Sequence, residues 1–279
     1  MATPYTDLDA VIAQAQEDLK GARKAMRQVA PSVPDTAPAQ TALGLAYMTL
    51  EQPRDAARAF KRAVDLDPED ALARYQLGAY QTDVGLLPQG EENLRVAAAA
   101  EPENAEYQAA LGFNFYKANR QPEAMAAFEA AVAAGSEDDD VFASLGYLYY
   151  FAERLDDASK AFGRAIELNP ERGEVNNNRG YLSILQGDLD AAQADLNACL
   201  QKDEEFQRAR YNLALATWLQ GDHAAAEELY RTARQHDRGE EELKQHLDDF
   251  DEVMAHYPQD DSLKDLKVQL AVTRKAGRR

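Results

Sequence analysis

Residues 105–138 read AEYQAALGFNFYKANRQPEAMAAFEAAVAAGSED, and residues 139–172 read DDVFASLGYLYYFAERLDDASKAFGRAIELNPER. Laid over one another without a gap, they set Leu111 on Leu145, Gly112 on Gly146, Ala124 on Ala158, Phe128 on Phe162 and Ala131 on Ala165. So many coincidences at one offset mark an internal repeat. The same 34-residue step carried in both directions yields six blocks, 37–70, 71–104, 105–138, 139–172, 173–206 and 207–240. It aligns Gly44, Gly78, Gly112, Gly146 and Gly180 at position 8, where the sixth block has Ala214.

The chemistry within a block describes a helical hairpin. Apolar residues recur in steps of three and four through positions 3–14 and again through 17–30, the period of two amphipathic helices. Position 24 is always large (Phe60, Leu94, Phe128, Phe162, Leu196, Tyr230), and position 27 is always small (Ala63, Ala97, Ala131, Ala165, Cys199, Ala233). Small residues at 8, 20 and 27 are expected where the two helix axes pass closest. Turn residues near position 15, namely Gly85, Asn119, Gly187 and Gly221, separate the helices, and Pro68, Pro102 and Pro170 at position 32 end the second one. A single hairpin of this length cannot bury its own apolar face, so neighbouring hairpins must stack.

This signature resembles the tetratricopeptide repeat family, and the resemblance spans residues 37–240. It implies an all-α, right-handed superhelical solenoid of antiparallel hairpins. Two departures stand out: Arg179 takes a position-7 site that is leucine in the other blocks, and position 4 carries Gln40, Arg74, Gln108, Phe142, Asn176 and Arg210 where an aromatic is usual for the family. The flanks read as caps. Residues 1–36 form a degenerate leading repeat, with Ala22, Met26, Val29 and Pro34 in register with positions 20, 24, 27 and 32. Residues 241–279 read as two capping helices broken at Pro258, ending in a basic tail that includes Lys264, Lys267, Arg274, Lys275, Arg278 and Arg279.

A formal net charge of -19 argues against a nucleic-acid partner, because phosphate-backbone binders present a basic face. The first residues lack the basic stretch and apolar core of a secretory signal, and no run of 18 apolar residues exists. The expectation is therefore a cytoplasmic chain without membrane insertion. Cys199, at a small buried position, is read as packing. His223, His236, His246 and His256 are spaced so that the last three spread around a helix, so no metal site is expected. The run Glu137–Asp140 is read as helix capping and Asp248–Glu252 as a solvated face. No catalytic constellation, phosphate-binding loop or cofactor motif is visible, so an enzyme is not expected.

The resemblance implies that the first helices line a concave surface through positions 2, 5, 9 and 12. Eight of those 24 residues are aromatic, against 8% in the whole chain. The candidate partner-binding groove is Tyr75, Phe113, Tyr116, Tyr147, Tyr150, Asn177, Asn178, Tyr181, Arg208, Tyr211, Asn212 and Trp218. Tyr and Trp give large contact area at low entropic cost, while the amides and Arg208 could hold peptide carbonyls or an acidic side chain. Positions 9 and 12 also meet the neighbouring first helix, so the stripe has a packing reading beside the recognition one. The function expected is a non-catalytic scaffold binding a protein or peptide segment. The alternative is a self-assembling homo-oligomer that uses the groove and the terminal helix.

Overall fold

In the computed structural model the described residues, 6–236 and 241–276, contain helices and turns and no strand. Contacts divide the chain into two compact units, 1–136 and 137–279. In the first, α1 (Thr6–Ala15) and α2 (Leu19–Val29) form a hairpin that ends in a single 3₁₀ turn (Ala30–Ser32). The next three hairpins are α3 (Ala37–Thr49) with α4 (Pro53–Leu66), α5 (Ala71–Asp83) with α6 (Leu87–Ala100), and α7 (Ala105–Lys117) with α8 (Gln121–Ala133). The second unit holds α9 (Asp139–Phe151) with α10 (Leu155–Leu168), α11 (Gly173–Gln186) with α12 (Leu189–Lys202), and α13 (Gln207–Leu219) with α14 (His223–His236). It closes with α15 (Glu241–His256) and α16 (Ser262–Ala276). Arg278 and Arg279 of the basic tail lie outside the described residues.

The glycines at position 8 have a sharper reason than close helix axes. A Cβ at Gly44, Gly112 or Gly146 would lie 2.4–2.5 Å from the ring of Phe60, Phe128 or Phe162, and one at Gly78 or Gly180 would lie 2.8 Å from Leu94 or Leu196. Position 8 is thus the socket into which the position-24 side chain of the same hairpin plugs. The plugs themselves are buried, with Phe60, Leu94, Phe128 and Leu196 at 0–1% exposure. A deleted methyl on one helix and a large apolar group on the other make one well-packed joint.

The turn at position 15 is a left-handed residue in each of the six hairpins from α3–α4 to α13–α14. Gly85, Gly187 and Gly221 supply the positive φ without steric cost, and Asn119 (φ 57°) tolerates it. Glu51 (φ 53°) and Glu153 (φ 58°) adopt it as well, a departure from the sequence expectation, since glutamate is not a turn residue. The position-32 prolines are dispensable as stop signals. Helix α12, with Glu204 beyond its end, stops at the same repeat position as α4, α6 and α10, and α8 ends one residue earlier, near a left-handed Gly135 (φ 88°).

Two apparent departures from the family pattern have structural partners. Long polar side chains at position 4 reach back six residues to a main-chain carbonyl. Gln40 Nε2 donates to Pro34 O (3.2 Å), Arg74 Nε to Pro68 O (2.8 Å), Gln108 Nε2 to Pro102 O (3.3 Å) and Arg210 Nε to Glu204 O (3.0 Å). Each ties the loop between repeats to the next helix, satisfying a carbonyl that the preceding helix has left behind. Arg179 makes a two-bond fork to buried Asp195, Nε to Oδ2 at 2.7 Å and Nη2 to Oδ1 at 2.6 Å. An ion pair therefore occupies the place of an apolar contact between α11 and α12.

Candidate functional site

In the first unit the face made by α3, α5 and α7 keeps large apolar groups uncovered. Met48 is 45% exposed, Tyr116 42%, and Leu45 and Leu72 37% each. Phe113 is half-buried with its ring edge-on to Phe128 at 4.9 Å. Tyr75 stacks on Tyr107 at 4.8 Å, and its hydroxyl donates to Glu106 Oε1 (2.7 Å). These side chains sit at positions 2, 5, 9 and 12, where first helices show their free side once the opposite side has packed on the second helix.

In the second unit the corresponding face is already occupied. Helix α15 lies across α13 and α11, and Glu252 reaches as far as α9. Its apolar stripe of Leu243, Leu247, Phe250 and Val253 is buried. Glu252 Oε2 accepts from the hydroxyls of Tyr150 (2.6 Å) and Tyr181 (3.0 Å), and Tyr257 Oη donates to the carbonyl of Ile184 (2.5 Å). Burial, and after it the Glu252 carboxylate, raises the pKa of both tyrosines, so they remain protonated donors. The stretch Asp248–Glu252 is therefore not a plain solvated face. Phe250 is fully buried, Asp249 half-buried, and Glu252 anchors the helix. Glutamate in a run of acids gave no signal of this role; the apolar spacing 243, 247, 250 and 253 did signal a buried helix face, but not which surface would receive it.

Tyr211 and Trp218 consequently leave the groove. Tyr211 has no exposed surface and stacks on His246 at 5.3 Å. Trp218 is 7% exposed, stacks on His223 at 4.0 Å and donates from Nε1 to Ser262 Oγ (2.9 Å). Asn177 and Asn212, at 2% exposure, are also closed in. The repeat position of each points towards the place expected for a partner; there Tyr211 meets His246 of α15 and Trp218 meets Ser262 of α16, while Asn177 and Asn212 bond one another. His246 is sealed at the same interface, with Nε2 3.1 Å from Tyr230 Oη and the Phe250 ring edge-on at 5.2 Å. Burial, with a smaller contribution from Arg208, lowers its pKa to about 3, so it is neutral at physiological pH.

Seven of the twelve candidate residues do come together. Tyr147, Tyr150, Asn177, Asn178, Tyr181, Arg208 and Asn212 line a pocket of 240 Å³ that is completed by Phe151, Phe162 and Leu182 and by Gln245 and Asp249 of α15. Its floor is a ladder of amides. Asn212 Nδ2 donates to Asn177 Oδ1 (3.1 Å), Asn177 Nδ2 to Asn178 Oδ1 (3.3 Å) and Asn178 Nδ2 to Tyr147 Oη (2.6 Å). Arg208 lies 3.6 Å from Glu242. Among the described residues Asp249 has no hydrogen-bond or ion-pair partner, and burial raises its pKa, with Arg208 acting in the opposite direction.

Elsewhere, Cys199 on α12 is fully buried, and desolvation, reinforced by Asp203, pushes its thiol up to about 12, which suits packing and not reactivity. Among the described residues no group of three or more His, Cys, Asp or Glu is placed to hold a metal ion, and no helix is long and apolar enough to cross a membrane.

The model of the tetratricopeptide repeat matches residues 41–83, 144–198 and 185–241, together just over half of the chain. No curated protein matches the sequence. Several solved structures share the fold. YrrB, described as a tetratricopeptide protein with an unusual peptide-binding site, is 24% identical over 66% of this chain and 94% of its own, with a TM-score of 0.62. PilF of Pseudomonas aeruginosa is 20% identical over 75% of this chain and 95% of its own (TM-score 0.61). PilW, described as a widely conserved type IV pilus biogenesis factor, is 21% identical over 76% and 98% (TM-score 0.58). With its 34-residue hairpins, its glycine sockets and the matched repeats, this all-α chain belongs to the tetratricopeptide repeat family.

Proposed function

We propose that this chain is a non-catalytic scaffold that binds a segment of another protein on the faces made by its first helices. One observation carries the reading. The second unit's first-helix face takes up an amphipathic helix of the same chain, burying aromatic and aliphatic groups and hydrogen-bonding two tyrosines, while Leu45, Met48, Leu72 and Tyr116 on the first unit's face stay bare. Exposed large apolar residues gathered at fixed inner positions are the usual mark of an interaction surface. The peptide-binding site ascribed to YrrB is consistent with that use of the fold.

The test compares capture of partners from native lysate by the parent chain, by a Leu45→Glu, Met48→Glu variant and by a Lys160→Glu control on a second helix. Expected is loss of the captured protein in the double variant alone, with thermal stability unchanged. Identical capture by all three rejects the first-helix face. A second reading, homo-oligomerisation, draws on the same contact: α15 of one copy could cover the face of another. It is distinguished by a molar mass that rises with concentration in light scattering and returns to the monomer value when residues 241–279 are removed.

A further inference from the structure

We propose that the pocket bounded by α9, α11, α13 and α15 receives a single basic side chain, arginine or lysine, from the bound partner segment. The inference rests on the scaffold reading and names the chemistry of one of its subsites. Size comes first. At 240 Å³ the pocket is smaller than the about 300–1,000 Å³ typical of small-molecule sites, and it suits one long side chain.

The walls come next. Tyr147, Tyr150 and Tyr181 present ring surface to the pocket, and Phe151, 62% exposed, stands at its lining. Two of these tyrosines donate their hydroxyl protons to Glu252, which draws electron density onto the rings and strengthens their attraction for a cation.

Charge then decides the sign. Arg208 stands 3.6 Å from Glu242 without a hydrogen bond to it, and its charge also acts on Asp249, so one cation is set against the three carboxylates Glu242, Asp249 and Glu252. The Glu252 carboxylate is engaged by the tyrosines. Asp249 remains, half-buried at the pocket with no hydrogen-bond or ion-pair contact among the described residues and only the more distant charge of Arg208 to offset it. A partly desolvated carboxylate without a donor is costly, and an ammonium or guanidinium entering between it and the rings would relieve that cost. The floor amides turn one N–H each to one another or to Tyr147, and they carry no net charge to oppose a cation. The chain's net charge of -19 would draw a basic segment towards it.

The test is calorimetric titration of the whole chain with blocked tripeptides Ac-Gly-Xaa-Gly-NH₂, where Xaa is arginine, lysine, norleucine or glutamate. Expected is at least tenfold tighter binding of the arginine and lysine peptides than of the other two. That advantage should shrink to threefold or less in Asp249→Asn, at an unchanged melting temperature, and persist in Arg208→Gln. Preference for glutamate, equal binding of norleucine, no binding of any peptide, or an advantage that survives Asp249→Asn each overturns the proposal. Capture through Leu45 and Met48 is tested on other side chains of the scaffold, so a failed peptide titration overturns this subsite and leaves the scaffold reading standing.

Discussion

Gly146 shows how much of this molecule is decided by single atoms. A methyl group there would sit 2.4 Å from the Phe162 ring, which is itself buried and edge-on to Tyr147 at 5.6 Å, so it has little room to withdraw. Gly146→Ala is expected to destabilise the chain by about 1–3 kcal/mol, as overpacking of a filled core does; urea denaturation with an unchanged m-value would measure it. Glu153 offers the opposite case. Its backbone lies in the left-handed region (φ 58°) and its side chain is exposed. Glu153→Gly should therefore raise stability by about 0.5–1 kcal/mol, the relief of left-handed strain outweighing the added chain entropy. A lower urea midpoint for this variant would contradict that account. The glycine sockets were legible in the sequence because glycine recurs with a strict period. The glutamate turns were not, because the repeat imposes the backbone there and the residue merely endures it.

Among the elements, α15 is where sequence and structure part. Its apolar spacing announced a helix with one buried side, and the break before α16 was marked by Pro258. Its seat was not legible, since burial against α11 and α13 depends on groups far away in sequence, such as Tyr150 and Tyr181 holding Glu252. That seat has a pH signature. His246 is held neutral in the folded state with its pKa lowered to about 3, whereas in the unfolded chain it takes up a proton near its ordinary value of 6.5. The unfolded state therefore binds more protons between those limits. The stability contribution is complete above pH 6.5 and is lost as pH falls towards 3, at about 1.4 kcal/mol per pH unit once below 6. Carboxylates also titrate in this range, so the comparison is with His246→Phe. Between pH 6 and 4.5 the parent should lose stability faster than the variant by that slope, and parallel curves would show that His246 is not the group responsible.

At the scale of the whole molecule, the repeat pattern over residues 37–240 made the fold class and the family readable, and with them the direction in which each first-helix side chain points. Tyr147, Tyr150, Asn177, Asn178, Tyr181, Arg208 and Asn212 line one pocket, and Phe113, Tyr116 and Tyr75 lie on a first-helix face. Tyr211 and Trp218 are buried instead, because a repeat position fixes which way a side chain points, whereas whether solvent or another helix waits there is set by the two helices beyond α14. The central claim is that a partner's segment lies on the open first-helix face. Its most direct test is photo-crosslinking in native lysate with a benzophenone side chain placed in turn at positions 45, 72 and 116, and at positions 58 and 160 on second helices as controls. One adduct of constant partner mass is expected from all three first-helix positions and none from the controls; adducts at 58 and 160 with none at 45, 72 and 116 would show that the segment lies elsewhere.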